Sequence, residues 1–467
     1  SVEGVTHLVF HTYTHNPRID FLPPGTSFGS GIGTPFLRLQ TWWKYMLEFV
    51  NYLSRCTYLL ERGRPVSDVL WYLGDEISHK PDQNYPFPEG FKYDCCNPDV
   101  LLNRLSVKNG KIVTPEGIEY SVLWLNDNKR MLPETLEKLL ALVREGAVVI
   151  GDAPEGLATL SGQESAQKRF DAAVHALWGE VSKGCNRIGK GMVVSGMSLD
   201  EALCELKMSP DVTATGDALW LHRQTKGADW YFVTAPKGQG FKGDLSFRNS
   251  GYAEIWDPVT GEMEPAVNRK DGDRTVVSLD MPRAGSCFVV FRHDRKGESK
   301  PVLLEEAGTM PVGNEWTLAF PDGWGAPASL KADELKAWKD LDISPEGKAF
   351  SGTVTYTTSF DIENAKEYAG YSLDLGAVEM IASVSLNGKP LRVLWTPPYR
   401  LDITDAIQTG ENILAVEVTG TWFNRLVYDA GQPEENRKTW TISGPSKDAP
   451  LRDSGLLGPV VLKVFND

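Results

Sequence analysis

Positive charge is in short supply in this sequence. Its 48 Lys and Arg face 62 Asp and Glu, a net charge of -14 over 467 residues. Nucleic acids and anionic membranes both need a basic surface, so neither is expected as a partner. The six cysteines, at positions 56, 95, 96, 185, 204 and 287, form no CxxC pair and keep no regular spacing. That leaves no zinc signature, and a disulfide framework is not expected in a chain this long. No apolar run is suited to crossing a bilayer. The longest, TWWKYMLEFVNYLSRCTYLLERG, is interrupted by Lys44, Glu48 and Arg55 and reads as a mostly buried helix. No GxGxxG, GxxxxGK(S/T) or nucleophile elbow stands at a strand end between residues 65 and 208. The glycines of GSGIGT are followed by no Lys-Ser or Lys-Thr and therefore make no phosphate cradle.

What is present describes a globular chain of several domains. Hydrophobic residues make up 41% and charged residues 24%, ordinary values for such a protein. A length of 467 residues exceeds what one core holds, and three or four domains are expected. Tryptophan is plentiful at 14 residues. Flat indole faces suit the apolar faces of sugar rings, although large aromatics also fill cores.

Four segments follow along the chain. Residues 1–64 read as a strand (THLVFHTYT), a Pro/Gly-rich loop (LPPGTSFGSGIGTPF) and the long helix from Trp42 to Leu60, stopped by Gly63 and Pro65. One such βα unit cannot cover both faces of its own strand, so it reads as the last unit of a larger α/β domain. Residues 65–208 alternate strand and helix, which predicts a parallel sheet with helices on both faces and a hairpin at Asn109-Gly110. Ligands of such sheets sit at carboxyl ends of strands, here near Gly74-Asp75-Glu76 and Gly151-Asp152, but no binding motif stands there. The segment is expected to be structural or oligomerising. Residues 209–300 hold short strands between Gly, Asn, Asp and Pro, a small antiparallel β domain. Residues 301–467 alternate with period two, as at Val354, Tyr356 and Thr358, and turn at Asn387-Gly388, which predicts a jelly-roll β-sandwich.

Candidate site residues come from these placements. His7, His11 and His15 share one face of a strand. Four residues of strand span about 13 Å, too far for one ion to be held by all three, so no metal site is assigned to them. HTYTHNP instead reads as the carboxyl end of a barrel strand, which makes His11, Tyr13 and His15 pocket candidates. A buried, hydrogen-bonded histidine is the plain alternative for His11 and His15. Asp75 and Glu76 are the conspicuous carboxylates at a strand end, although neighbours on a strand point oppositely and solvated loop acids are common. Trp395, Trp422 and Trp324 are candidates for stacking on sugars. Trp422, Asn424 and Arg425 also fit a tie between the sandwich and its neighbours. WDPVTGE reads as a structural turn.

The stretch PYRLDITDAIQTGENILAVEVTGTWFNRL closely resembles the sugar-binding-type jelly roll of family 2 glycoside hydrolases and their relatives. With VFHTYTHNP, TWWKYMLEFVNYLSRCTYLLERG, SDVLWYLG, GFKYDCCN, IEYSVLWL and WDPVTGE in order, nearly the whole chain resembles family 106, the α-L-rhamnosidases. That resemblance implies a calcium-dependent, inverting, exo-acting hydrolase of rhamnose-containing plant glycans. It implies a fold of four parts: the end of a catalytic (β/α)8 barrel (1–64), a flavodoxin-like α/β domain (65–208), a small antiparallel β domain (209–300) and the jelly roll (301–467). By the same resemblance the catalytic carboxylates and calcium ligands are expected upstream of Ser1, in a barrel whose remainder precedes this chain, so that this chain alone lacks them. A periplasmic or extracellular location is the matching expectation. The alternative is a non-catalytic carbohydrate-binding or scaffolding protein.

Overall fold

The computed structural model describes residues 2–10, 22–25, 36–76, 85–295, 304–313 and 315–466. The fold is mostly β, laid out in several sheets with a few helices between them.

The helix α1 (Met46–Glu61) forms where the sequence predicts it, and the chain leaves it through Gly63 at φ +67°. Of the strand expected ahead of it, THLVFHTYT, only residues 6–10 are described. Residues 5–10 form no strand, and Val9 is 86% exposed. β-branched and aromatic residues favour a strand only where neighbouring strands pair with it and bury its face. Among the described residues none pairs with this stretch. His7 is exposed and meets Glu61 of α1 at 2.6 Å. His11, Tyr13 and His15 lie outside the described residues.

The parallel sheet of 65–208 forms as expected. Its parallel strands are Val69–Tyr72, Tyr93–Cys96, Val122–Trp124, Val148–Ile150 and Gly191–Ser195, and their spatial order is 2-1-3-4-5 in chain numbering. Gly184–Ile188 adds an antiparallel edge beyond the fifth. Because successive side chains alternate, the sheet has two apolar faces. Leu70, Tyr72, Leu123 and Val149 pack under α2 (Pro98–Arg104), α3 (Pro133–Glu145) and α4 (Gln163–Trp178). Trp71, Val122, Trp124 and Ile150 pack against α5 (Leu199–Glu205), which a Ser198–Glu201 capping box starts.

Residues 209–295 build a two-sheet β unit. Sheets containing Ala228–Thr234 and Phe241–Phe247 enclose Tyr231, Leu245, Phe247, Val277 and Phe291. The first sheet is apolar on its outer face as well, through Trp230, Phe232, Phe288 and Val290, and α1 covers that face with Cys56 and Leu60. Arg64–Pro65 then extends the same sheet by pairing with Gln224 and Arg223. Thus the chain around residue 64 is woven into the third segment before it enters the second.

Residues 305–466 form a larger sandwich of a four-stranded and a six-stranded sheet around one core. Trp338 lies at its centre and donates Nε1–H to Tyr356 Oη at 2.7 Å. A side chain at Gly455 would run into that pair, its Cβ only 2.6 Å from the indole nitrogen, so the packing requires glycine there. Both predicted Asn-Gly hairpins are present, with φ of 53° and 77° at Asn109-Gly110 and 54° and 76° at Asn387-Gly388.

Candidate functional site

The sequence candidates fall in three different places. Asp75 stands at the carboxyl end of the first parallel strand, between that strand and the third, where the strand order reverses and such folds take ligands. Its carboxylate is already engaged. It accepts from the backbone N–H of Leu132 at 2.8 Å, the hydroxyl of Thr135 at 2.7 Å and the hydroxyl of Tyr72 at 2.7 Å. A carboxylate there also suits the positive end of α3. Asn128, buried beside it, donates to Tyr72 O at 3.3 Å. Asp152, at the end of the fourth strand, accepts from Gly196 N–H at 2.7 Å. Glu76 is exposed. Among the described residues, the sheet's ligand position is thus filled by its own polar side chains.

Trp395 is a joint. Its ring meets Phe49 and Tyr52 of α1 edge-on, each at 5.6 Å between centroids. WDPVTGE also holds α1, since Arg55 donates to the carbonyls of Pro258 and Val259 at 3.0 and 2.9 Å.

Trp422 sits in the richest cluster. It precedes α6 (Phe423–Ala430), whose sequence FNRLVYDA places Arg425 and Asp429 one turn apart. Arg425 is 1% exposed and pairs with Asp429 at 2.9 Å and with Glu346 at 2.8 Å. Its guanidinium also lies 5.2 Å from the ring centres of Trp324 and Tyr428. Asp429 in turn accepts from Lys438 N–H at 2.9 Å and Thr439 Oγ1 at 2.7 Å. Lys438 reaches Glu346 at 2.8 Å and the carbonyl of Gly323. The Lys438 ammonium, backed by Arg425, holds the Glu346 carboxyl below the usual range. Trp324 and Trp422, both half-buried, stand 5.7 Å apart.

This cluster is also where the N-terminal segment docks. Trp422 donates Nε1–H to Leu39 O at 2.8 Å. Pro24 bridges Trp440, with Gly25 N–H to Trp440 O and Trp440 N–H to Pro23 O both at 2.9 Å. Lys44 and Tyr45 both reach Glu417, at 2.8 and 3.2 Å. The tie read from TWFNRL is thus made by Trp422, while Asn424 clamps the backbone of Arg452 with two 2.8 Å bonds. Glu346 and Lys438 carry no sequence signal of their own, but the four-residue spacing of Arg425 and Asp429 was open to reading.

Comparison with known proteins places the chain in a family of glycoside hydrolases. The sequence profile of glycoside hydrolase family 106, described as alpha-L-rhamnosidase, matches residues 1–270, and the chain belongs to that family. A rhamnosidase structure from Novosphingobium sp. PP1Y superposes with a TM-score of 0.89 at 33% identity, covering 99% of this chain and 45% of that one. A Formosa agariphila protein whose name proposes it as a beta-glucuronidase is 24% identical, over 99% of this chain and 60% of its own length. The chain thus spans about half the length of the relatives it matches.

Proposed function

We propose that this chain is part of an inverting, exo-acting α-L-rhamnosidase that removes rhamnose from plant glycans. The match of nearly the whole chain to a rhamnosidase structure carries the reading. Inversion needs one carboxylic acid to protonate the glycosidic oxygen and one carboxylate to activate water, about 6.5–9.5 Å apart. Asp75 is committed to α3, and on the family resemblance that pair belongs to the remainder of a (β/α)8 barrel that 1–64 would complete. On this reading the strand order 2-1-3-4-5 is a flavodoxin-like spacer, the 209–295 unit and the jelly-roll sandwich are accessory, and His11, Tyr13 and His15 join the pocket rim.

Calcium belongs to the proposal as an expectation from the family. Among the described residues no three His, Cys, Asp or Glu stand together to hold an ion, so they do not fit it and no step is routed through it. A periplasmic or extracellular site of action completes the reading. No helix among the described residues is long and apolar enough to cross a membrane.

The test is hydrolysis of an aryl α-L-rhamnoside, by this chain and by the chain with an upstream barrel supplied, each with calcium and then chelator. Turnover that requires the upstream part, with the product's anomeric proton appearing in the inverted configuration, is the expected result. Saturable sugar binding with no turnover in either form would favour a carbohydrate-binding protein instead.

A further inference from the structure

A polar cleft of about 440 Å³ opens on the C-terminal sandwich, lined by Glu379, Met380, Thr421, Arg452, Asp453 and Ser454 among others. Its walls are held in place. Ala377–Glu379 pairs with Gly455–Gly458, and Tyr399 donates its hydroxyl to Met380 O at 2.6 Å. The opposite wall is fixed by the Asn424 clamp on Arg452, whose guanidinium lies 3.6 Å from the ring centre of Phe423. A preformed concavity of this size falls in the range of small-molecule sites.

The lining chemistry narrows the ligand. Glu379 and Asp453 offer acceptors, Arg452 offers donors, and Thr421 and Ser454 offer hydroxyls that do both. Met380 is 42% exposed and adds an apolar surface beside them. A divalent cation is a poor match. It wants six to eight oxygens, yet Asp453 is already paired with Lys339 at 3.2 Å and Arg452 stands alongside. An anion would meet Glu379, whose carboxyl burial and Asp453 push above its ordinary value. A group with many hydroxyls and no charge satisfies donors and acceptors together.

We propose that this cleft binds a neutral sugar residue, whose hydroxyls donate to Glu379 and Asp453 and accept from Arg452, with Met380 against its carbon face. The proposal does not require the chain to hydrolyse anything, so it stands or falls separately from the rhamnosidase reading. The test is calorimetric titration of the full chain with L-rhamnose, D-galactose and D-glucose, and with calcium chloride, repeated for Glu379→Ala and Asp453→Ala. Saturable binding of at least one sugar, weakened roughly tenfold or more in both variants, is the expected result, as for loss of a hydrogen bond to a charged group. Either variant must melt like the parent. If one does not, hydrogen exchange of the unaltered chain decides the matter, because the bound sugar slows exchange in the segments around 380 and 453. No sugar binding by the folded chain, equal binding in the variants, calcium binding alone, or no protection around 380 and 453 would overturn the proposal.

Discussion

The α/β sheet and the C-terminal sandwich each present acidic residues at a loop-lined end, and they use them in opposite ways. At the sheet's strand ends, Asp75 accepts three hydrogen bonds and Asp152 a fourth, so the carboxylates are spent on fixing a helix and a turn. In the sandwich, Glu379 lines an open cleft and the fixing is done by others: Asn424, Tyr399 and the buried pair of Arg425 and Asp429. The lesson is that a carboxylate becomes available for a ligand when neighbouring residues hold the backbone in its place. A strand-end position in a parallel sheet identifies where a ligand could sit, but not whether the room is still free.

That contrast can be broken most forcefully at Arg425. Arg425→Ala strands Asp429 in the interior, and removing one partner of a buried pair costs about 3–5 kcal/mol. Denaturant unfolding should show the loss. A cost below about 1 kcal/mol would mean that the cluster does not hold this end of the sandwich.

Asp75→Ala is the matched experiment in the sheet. It should lower stability by about 1–2 kcal/mol, the usual cost of losing a helix-start acceptor, and leave sugar binding unchanged. Glu379→Ala should do the reverse. If Asp75→Ala instead abolished hydrolysis in the complete enzyme with little loss of stability, the reading of a filled ligand position would fail.

A smaller effect, read as a slope, concerns the joint between the sheet and the 209–295 unit. His222 is buried between Asp211 at 2.7 Å and Asp229 at 2.9 Å, and Arg248 links Asp211 (3.8 Å) to Asp68 (3.0 Å) across the two units. Burial pulls the His222 pKa down, but Asp211 and Asp229 outweigh it and hold it above the ordinary value. Its folded value is thus raised, so its stabilisation is full below the unfolded pKa of about 6.5 and fades as pH rises through the folded value. Asp229 is opposed by burial but held low overall by His222 and His293. Its contribution is present above about pH 3.9 and fades as pH falls through its lowered value. Melting across pH 5 to 9 should therefore fall less on the alkaline side in His222→Gln than in the parent. Parallel curves would exclude the coupling.

The smallest effect belongs to Lys44 and Glu417. Their pair is half-exposed on both sides, and Lys44→Ala should cost less than about 1 kcal/mol, a loss that salt further reduces. A larger loss would mean that the N-terminal segment relies on it rather than on Trp422.

Much of this architecture was legible in the residues themselves. Asn109-Gly110 and Asn387-Gly388 announced their hairpins because a tight turn depends on two adjacent residues and their φ angles. α1 ended at its glycine, and the period-two alternation around Val354 to Thr358 became the strand Thr353–Ile362. The parallel sheet followed from alternation of strand and helix signals. The family, too, was readable, because its motifs recur in order along the chain.

What the sequence could not fix depends on partners far away in the chain. THLVFHTYT has strand composition, yet residues 5–10 meet no pairing strand among the described residues, and pairing decides the outcome. Trp395 and Trp422 were both candidates for stacking on sugars, Trp422 also for a tie between the sandwich and its neighbours. One is engaged by α1, the other donates to Leu39 across 383 residues of sequence. Asp75 and Glu379 are both acids next to strands, and only the packing around each settled that one caps a helix and the other lines a cleft. Local backbone preferences and side-chain periodicity belong to short stretches, and the sequence carries them by itself. The use of a charged or aromatic side chain is set by the groups that surround it, and only the tertiary structure brings those together.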